Sequence, residues 1–141
     1  MRIPRVGPVD LVRLMVGSVF LSEGIQKLLF PAQLGVGRFL KIGIPWPEGL
    51  APFVGAVEVT AGLLLLLNLW ALYAAGALLA VISVAIVSTK LPLLIGSPLG
   101  PFSLTPLPRY GLWTFLHHAR TDWCMFLGCL AVIVDSARRR R

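Results

Sequence analysis

The chain has 141 residues, of which 57% are hydrophobic and 13% are charged, and its formal net charge at pH 7 is +7. A soluble domain has about 25% charged residues, so this chain has too little polar surface to cover a water-soluble globule. Its densest positive charge is the run of arginines at 138–141, which adjoins an apolar stretch. That placement argues against a nucleic-acid partner and favours an anionic membrane surface. We therefore expect a single integral membrane domain over residues 1–141.

Four segments are apolar enough to cross a lipid bilayer, which takes about 20 residues. The second and third segments adjoin at Asn68, Leu69 and Trp70, and one helix through both would be about 60 Å long, twice the hydrocarbon thickness. The chain must therefore turn there. The loops at 31–49 and 90–120 are rich in proline, which excludes continuous helix. The sequence predicts an all-α bundle of four transmembrane helices at about 11–30, 50–69, 70–89 and 121–137.

An even number of spans places both termini on the same side of the membrane. Arg2 and Arg5 precede the first span, and the arginines at 138–141 follow the last one. Because cytoplasmic segments carry an excess of Lys and Arg, we predict that the N and C termini are cytoplasmic. The protein is then a multi-pass protein of the cell (cytoplasmic or inner) membrane.

Two carboxyl groups lie at similar depth inside the predicted spans. Glu23 is about 10 Å from the outer end of the first span, and Glu58 is about 12 Å from the same side in the second. Lys27 follows Glu23 by four residues and shares its helix face. Gly55 and Gly62 flank Glu58 on its own face, where small residues let a neighbouring backbone approach closely. A charge at this depth costs about 2.5–3.5 kcal/mol, so its default interpretation is functional.

Three more charged residues, Lys90, Arg120 and Asp122, lie at the outer ends of the third and fourth spans. We expect them to share a polar cleft with the first group in the outer half of the bundle. In this hypothesis Glu58 and Glu23 are the catalytic candidates, and the other four bind ligand or relay protons. The alternative is a structural network that neutralises carboxylates and fixes helix register. The cleft residues are Glu23, Lys27, Glu58, Lys90, Arg120 and Asp122.

Residues that would hold a tightly bound cofactor are missing from the sequence. No histidine lies within a predicted span, there is no CxxCH sequence, and Cys124 and Cys129 are too few for an iron–sulfur cluster. We expect no metal and no covalently bound cofactor. Any electron transfer would then use a diffusible quinone or the cofactor of a partner protein.

Four stretches resemble the DoxX family of small bacterial membrane proteins. They are FLSEGIQKL at 20–28, GIPWP at 43–47, VGAVEVTAGLLLLL at 54–67 and HHARTDWCMFLGCLAVIVD at 117–135. The resemblance implies a four-helix membrane bundle and a link to the membrane subunits of thiosulfate:quinone oxidoreductases. It also implies a place in redox-homeostasis complexes, where the family member is a membrane anchor. The positions that the resemblance carries over are Glu23, Lys27, Glu58 and Asp122.

Three functions remain open from the sequence. The first is a quinone-linked redox subunit, in which Glu58 or Glu23 exchanges protons with a quinone in the outer cleft. The second is a non-catalytic anchor or assembly factor for a soluble or membrane redox partner. A transporter of small solutes is the weakest, because four short spans show no inverted repeat. Whether the protein is an enzyme is open, and a homo-oligomer in the lipid bilayer is compatible with all three.

Overall fold

The computed structural model describes residues 6–141, and over this range the chain is built of helices and turns with no β-strand. Arg2 and Arg5, on which the predicted cytoplasmic N terminus partly depends, lie outside the described residues. The all-helical prediction is confirmed. The helices are α1 (Pro8–Leu29), α2 (Val36–Ile42), α3 (Pro47–Leu66), α4 (Ala71–Ala85), a π-helical turn (Ile86–Lys90), α5 (Leu91–Ile95) and α6 (Leu112–Arg138).

Two of these helices are long and apolar enough to cross a membrane. They are α3 and the continuous helical stretch Ala71–Ile95, with mean hydropathies of 1.8 and 2.3 over their most apolar windows. Helices α1 and α6 are of similar length, at 22 and 27 residues, but carry more charged side chains. Four of the predicted cleft residues are among these charges: Glu23 and Lys27 in α1, and Arg120 and Asp122 in α6.

The chain turns between α3 and α4 at the predicted place. Helix α3 ends at Leu66 and α4 begins at Ala71. Asn68 and Trp70 have positive φ angles of 54° and 48°, and asparagine tolerates this left-handed conformation better than most residues. The two apolar helices are therefore joined by a four-residue turn rather than fused.

The third helical stretch extends beyond its predicted end. The sequence indicated a loop from Lys90, but the helix continues through a π-helical turn to Ile95. Pro92 explains the irregularity, since it has no N–H for the carbonyl group of Ser88 and its ring crowds that carbonyl. The Leu91 N–H accordingly bonds to Ile86, five residues back. Proline here widens the helix instead of ending it.

The last helix begins at Leu112, nine residues before the predicted span at 121–137. The prolines that indicated a loop over 90–120 end at Pro108. Beyond them, His117, His118 and Arg120 are exposed on one side of the helix. Phe115 and Ala119, four residues apart, are buried on the other side. An amphipathic first half of α6 was thus taken for loop because its mean hydropathy is low.

Helices α1, α3, α4 and α6 pack around a common apolar core. Helix α1 makes its largest interface with α3, and α4 makes its largest with α6. The segment 30–46, which contains α2, and the loop at 96–111 lie at one end of the bundle, which we call the loop end. The turn at 67–70 lies at the other end. At that second end the Arg140 guanidinium lies 5.1 Å from the centre of the Tyr73 ring. The core contains Val16, Phe20, Leu65, Leu78, Ile82, Met125, Cys129 and Val132.

Candidate functional site

Glycines bring the backbones of α1 and α3 into direct contact. A Cβ atom built on Gly24 would lie 2.6 Å from the carbonyl oxygen of Gly55, and one built on Gly17 would lie 2.9 Å from that of Gly62. The pairing of 17 with 62 and of 24 with 55 shows that the helices are antiparallel. Both helices repeat glycine after seven residues, or about two turns, so the two contacts lie on one face of each helix. A Cβ at Gly17, Gly24 or Gly62 would lie closer than 3.0 Å to backbone atoms of the other helix, so these three positions exclude a residue larger than glycine.

Glu58 lies between the two glycines of α3 and faces α1. Glu58 is only 3% exposed, because the α1 backbone covers it between the Gly24–Gly55 and Gly17–Gly62 contacts. This confirms the expectation that Gly55 and Gly62 allow a neighbouring helix to enclose the carboxyl group. The carboxylate is thus held inside the protein, away from lipid.

Lys27 reaches Glu58 from the opposite helix. In an antiparallel pair each side chain leans toward the N terminus of its own helix, so these two lean toward one another. The Lys27 ammonium group donates a hydrogen bond to Glu58 Oε1 at 3.1 Å and lies 2.8 Å from Oε2. Both oxygens of the Glu58 carboxylate therefore lie within 3.1 Å of the Lys27 ammonium group.

Glu23 shares the same lysine but lies at the surface. Its Oε2 is 3.7 Å from Lys27 Nζ, and its side chain is 53% exposed, against 13% for Lys27. The three residues Glu23, Lys27 and Glu58, which we call the carboxylate–lysine triad, run from the outside of α1 to the α1–α3 interface. One ammonium group serves two carboxyl groups, so the triad carries one negative charge when all three are ionised.

A second ion pair joins the π-helical turn to α6. Lys90 Nζ lies 3.5 Å from Asp122 Oδ2, and both side chains are mostly buried. Arg120 is exposed, and its guanidinium group donates a hydrogen bond to the backbone carbonyl of His117 on its own helix. Within residues 6–141, no hydrogen bond or ion pair links Lys90, Asp122 or Arg120 to the triad. The six residues expected in one cleft therefore form a triad, a separate pair and one surface arginine.

Two further polar side chains of α1 belong to the site. Ser22 and Gln26 lie beside Glu23, joined by a 2.9 Å hydrogen bond from the Gln26 amide group to the Ser22 hydroxyl. With Glu23 they form a polar strip on the exposed face of α1. Their spacing of four residues along the helix was visible in the sequence.

Two cavities are present elsewhere in the bundle. An apolar groove of about 360 Å³ lies between α3 and α4, beside Phe53, Thr60 and Tyr73. A more polar cavity of about 540 Å³ lies between the 96–111 loop and the start of α6. Among residues 6–141, no three His, Cys, Asp or Glu side chains lie together as a metal site would need.

The sequence model described as DoxX matches residues 9–91. The chain belongs to the DoxX family. An uncharacterized membrane protein of Mycobacterium tuberculosis is 46% identical to it over 122 residues, which cover 86% of this chain and 71% of the relative. No solved structure matches at a significant level.

These comparisons identify a membrane protein of the DoxX family and confirm the resemblance drawn from the sequence motifs. The matched range 9–91 includes the whole carboxylate–lysine triad and Lys90, whereas Arg120 and Asp122 lie beyond it. The triad therefore lies in the part of this chain that carries the family signature.

Proposed function

We propose that this DoxX-family protein is a multi-pass protein of the cytoplasmic membrane that works as a quinone-linked redox subunit. Helices α1, α3, α4 with α5, and α6 form its four spans. The C-terminal arginines lie on the cytoplasmic side, as the excess of basic residues in cytoplasmic segments favours. The contact of Arg140 with Tyr73 supports the four-span bundle, because it brings the end of α6 to the start of α4.

The observation that carries the redox proposal is the surplus carboxyl group of the triad. A purely structural ion pair needs one carboxylate for each lysine, but Lys27 contacts two. The exposed Glu23 takes up a proton, and Lys27 connects it with the buried Glu58, whose two carboxylate oxygens both lie within 3.1 Å of the Lys27 ammonium group. Groups of this kind are suited to proton exchange in a water-poor environment.

The polar strip of Ser22, Glu23 and Gln26 is where the quinone headgroup docks. Polar side chains on a lipid-facing helix surface are costly unless another polar group covers them, and the two carbonyl oxygens of a quinone supply acceptors and proton sites. Two electrons from the cofactor of a partner protein and two protons delivered through Glu23 convert the quinone to the quinol. Water on the loop side replaces the protons.

The enclosure of Glu58 supports a second candidate, a non-catalytic membrane anchor. The close contact of Gly24 with Gly55 seals the Glu58 carboxyl group from lipid, as expected if the Lys27–Glu58 pair only fixes the register of α1 on α3. The polar strip on α1 would then contact a partner protein instead of a quinone.

Quinone retention distinguishes these two functions. We expect the protein purified from its native membrane to retain quinone, and Glu23→Gln and Glu58→Gln to lose most of it, because each substitution removes one ionisable carboxyl group from the triad. Mass spectrometry of the extracted lipid measures the loss. Glu48→Gln is the matched control, since Glu48 is an exposed carboxyl group in the first turn of α3.

The anchor function replaces the redox proposal if neither the wild type nor any of its three variants retains quinone, while all four co-purify with one protein partner. Size-exclusion elution and thermal unfolding of each variant separate loss of ligand from loss of fold. A variant that elutes and melts like the wild type but lacks quinone supports proton exchange at the triad.

A further inference from the structure

A cavity lined by cationic and aromatic side chains lies at the loop end of the bundle, apart from the triad. It is an open recess of about 540 Å³, lined by residues 107–110 of the loop and by the first two turns of α6. Arg109, His117 and His118 contribute its nitrogen donors, and Trp113 and Tyr110 contribute aromatic rings. The proposed redox function uses none of these residues.

The loop wall of this cavity is fixed by hydrogen bonds. The Tyr110 hydroxyl group accepts a hydrogen bond from the Leu107 N–H at 3.1 Å and donates one to the Thr105 carbonyl at 3.2 Å. The Gly111 N–H donates to the carbonyl of Leu93 at 2.9 Å, which ties the loop to α5. Arg109 is thereby held on a closed turn that faces α6, so the cavity exists before any ligand arrives.

The charge of the cavity selects an anion. None of its lining residues is acidic, and the nearest acidic residue along α6, Asp122, is paired with Lys90 at 3.5 Å. Arg120 adds a further positive charge one turn along α6, where it bonds to the carbonyl of His117. Guanidinium and imidazole N–H groups are strong donors to phosphate oxygens.

The position of the cavity indicates which anion it meets. Trp113 is 82% exposed and its neighbour Leu112 is exposed as well, as expected of side chains that sit among lipids at the membrane interface. A soluble phosphate ion would gain nothing from these apolar groups, whereas the glycerol and acyl chains of a lipid would cover them.

We infer that this cavity binds the phosphate group of an anionic phospholipid, with Arg109, His117 and His118 as donors and the lipid chains beside Leu112 and Trp113. The inference does not depend on the proposed redox function, since the cavity shares no residue with the triad. A bound lipid would hold the loop end of α6 at the depth of the headgroups.

Tryptophan quenching by brominated lipids tests the inference. A full-length protein carrying Trp46→Phe, Trp70→Phe and Trp123→Phe keeps Trp113 as its only tryptophan. In bilayers of phosphatidylcholine with phosphatidylglycerol, brominated phosphatidylglycerol should quench Trp113 as though it bound about fivefold more tightly than brominated phosphatidylcholine. One cation contributes about this ratio to the binding of an anionic headgroup. Arg109→Gln should bring this preference close to one, and His118→Leu should reduce it.

Lys41→Gln is the matched control, because Lys41 is an exposed cation of α2 that does not line the cavity. Loss of the preference in Arg109→Gln with its retention in Lys41→Gln supports the site. Equal loss in both variants, or no preference in the parent protein, overturns it in favour of general surface charge. Displacement of the lipid by millimolar inorganic phosphate also overturns the lipid assignment, since the cavity would then be a free-phosphate site.

Discussion

Gly24→Ala is expected to lower the free energy of unfolding by about 3 kcal/mol, the upper part of the range for overpacked interiors. The added Cβ would lie 2.6 Å from the Gly55 carbonyl oxygen, 2.8 Å from the Val59 nitrogen and 2.9 Å from the Glu58 Cβ. Two of these atoms belong to the backbone, and the third is fixed to it, so no change of rotamer relieves the contact. Helices α1 and α3 must therefore separate along their whole interface.

Gly76→Ala is the matched control for this substitution. Gly76 lies within α4, and a Cβ built on it has no atom within 4 Å. Alanine is the better helix former by about 1 kcal/mol, so this variant should be as stable as the wild type or more stable. Unfolding of both variants in mixed micelles with increasing denaturing detergent measures the difference. Equal stability of Gly24→Ala and the wild type would show that α1 and α3 do not approach as closely as described.

Lys27→Met should destabilise the protein by about 3–5 kcal/mol, the usual cost of removing one partner from a buried ion pair. The substitution leaves the Glu58 carboxylate at 3% exposure without its ammonium partner. Glu58→Leu should lower the stability less, because Lys27 still has Glu23 as a partner at 3.7 Å. Glu23 is exposed, so solvent and lipid headgroups also reach this end of the pair. The asymmetry follows from the burial of one carboxylate and the exposure of the other.

The double variant Lys27→Met/Glu58→Leu separates structure from function. Replacing a buried ion pair with apolar residues of similar size is often neutral or stabilising, so the double variant should recover most of the stability lost in Lys27→Met. Quinone retention should not recover, because both ionisable groups are gone. A double variant no more stable than Lys27→Met would mean that an unpaired Glu58 carboxylate is not the cause of the stability lost in Lys27→Met. Recovery of both properties would assign the pair a structural role alone.

The predictions for Gly24→Ala and Lys27→Met are linked, because both substitutions act on the buried Glu58 of the carboxylate–lysine triad. The Gly24–Gly55 contact is what buries Glu58, so a separation of α1 from α3 would also admit lipid or water to the ion pair. Lys90 and Asp122 serve as a comparison, since their pair is longer, at 3.5 Å, and each side chain is about one-fifth exposed. Breaking that pair should cost less than breaking the Lys27–Glu58 pair.

Much of the architecture could be predicted because it depends on local composition. Long apolar segments must be helical in a membrane, since only then are their backbone groups hydrogen bonded within the segment. The turn at Asn68 followed from the length limit on a single span, and the enclosure of Glu58 followed from the glycines at 55 and 62. The four motifs, taken together and in their order along the chain, were sufficient to indicate the family.

Helix ends were harder to predict because they depend on tertiary contacts. The sequence could not show that Pro92 would be absorbed in a π-helical turn, since that depends on packing of the surrounding helix. Nor could hydropathy reveal that α6 begins at Leu112, because Phe115 and Ala119 are buried on a face whose opposite side carries His117 and His118. An amphipathic helix and a polar loop have the same average composition.

The partners of the charged residues were decided by the tertiary structure alone. By itself the sequence predicted that Glu23 and Glu58 lie at similar depth, and its local spacing favoured the pairing of Lys27 with Glu23. The folded chain places Lys27 closer to Glu58, at 2.8 Å against 3.7 Å, and leaves Arg120 at the surface. Residue spacing fixes which side chains share a face of one helix, whereas the rotation and register of one helix against another fix which faces meet. In this protein the glycine contacts between α1 and α3 set that register.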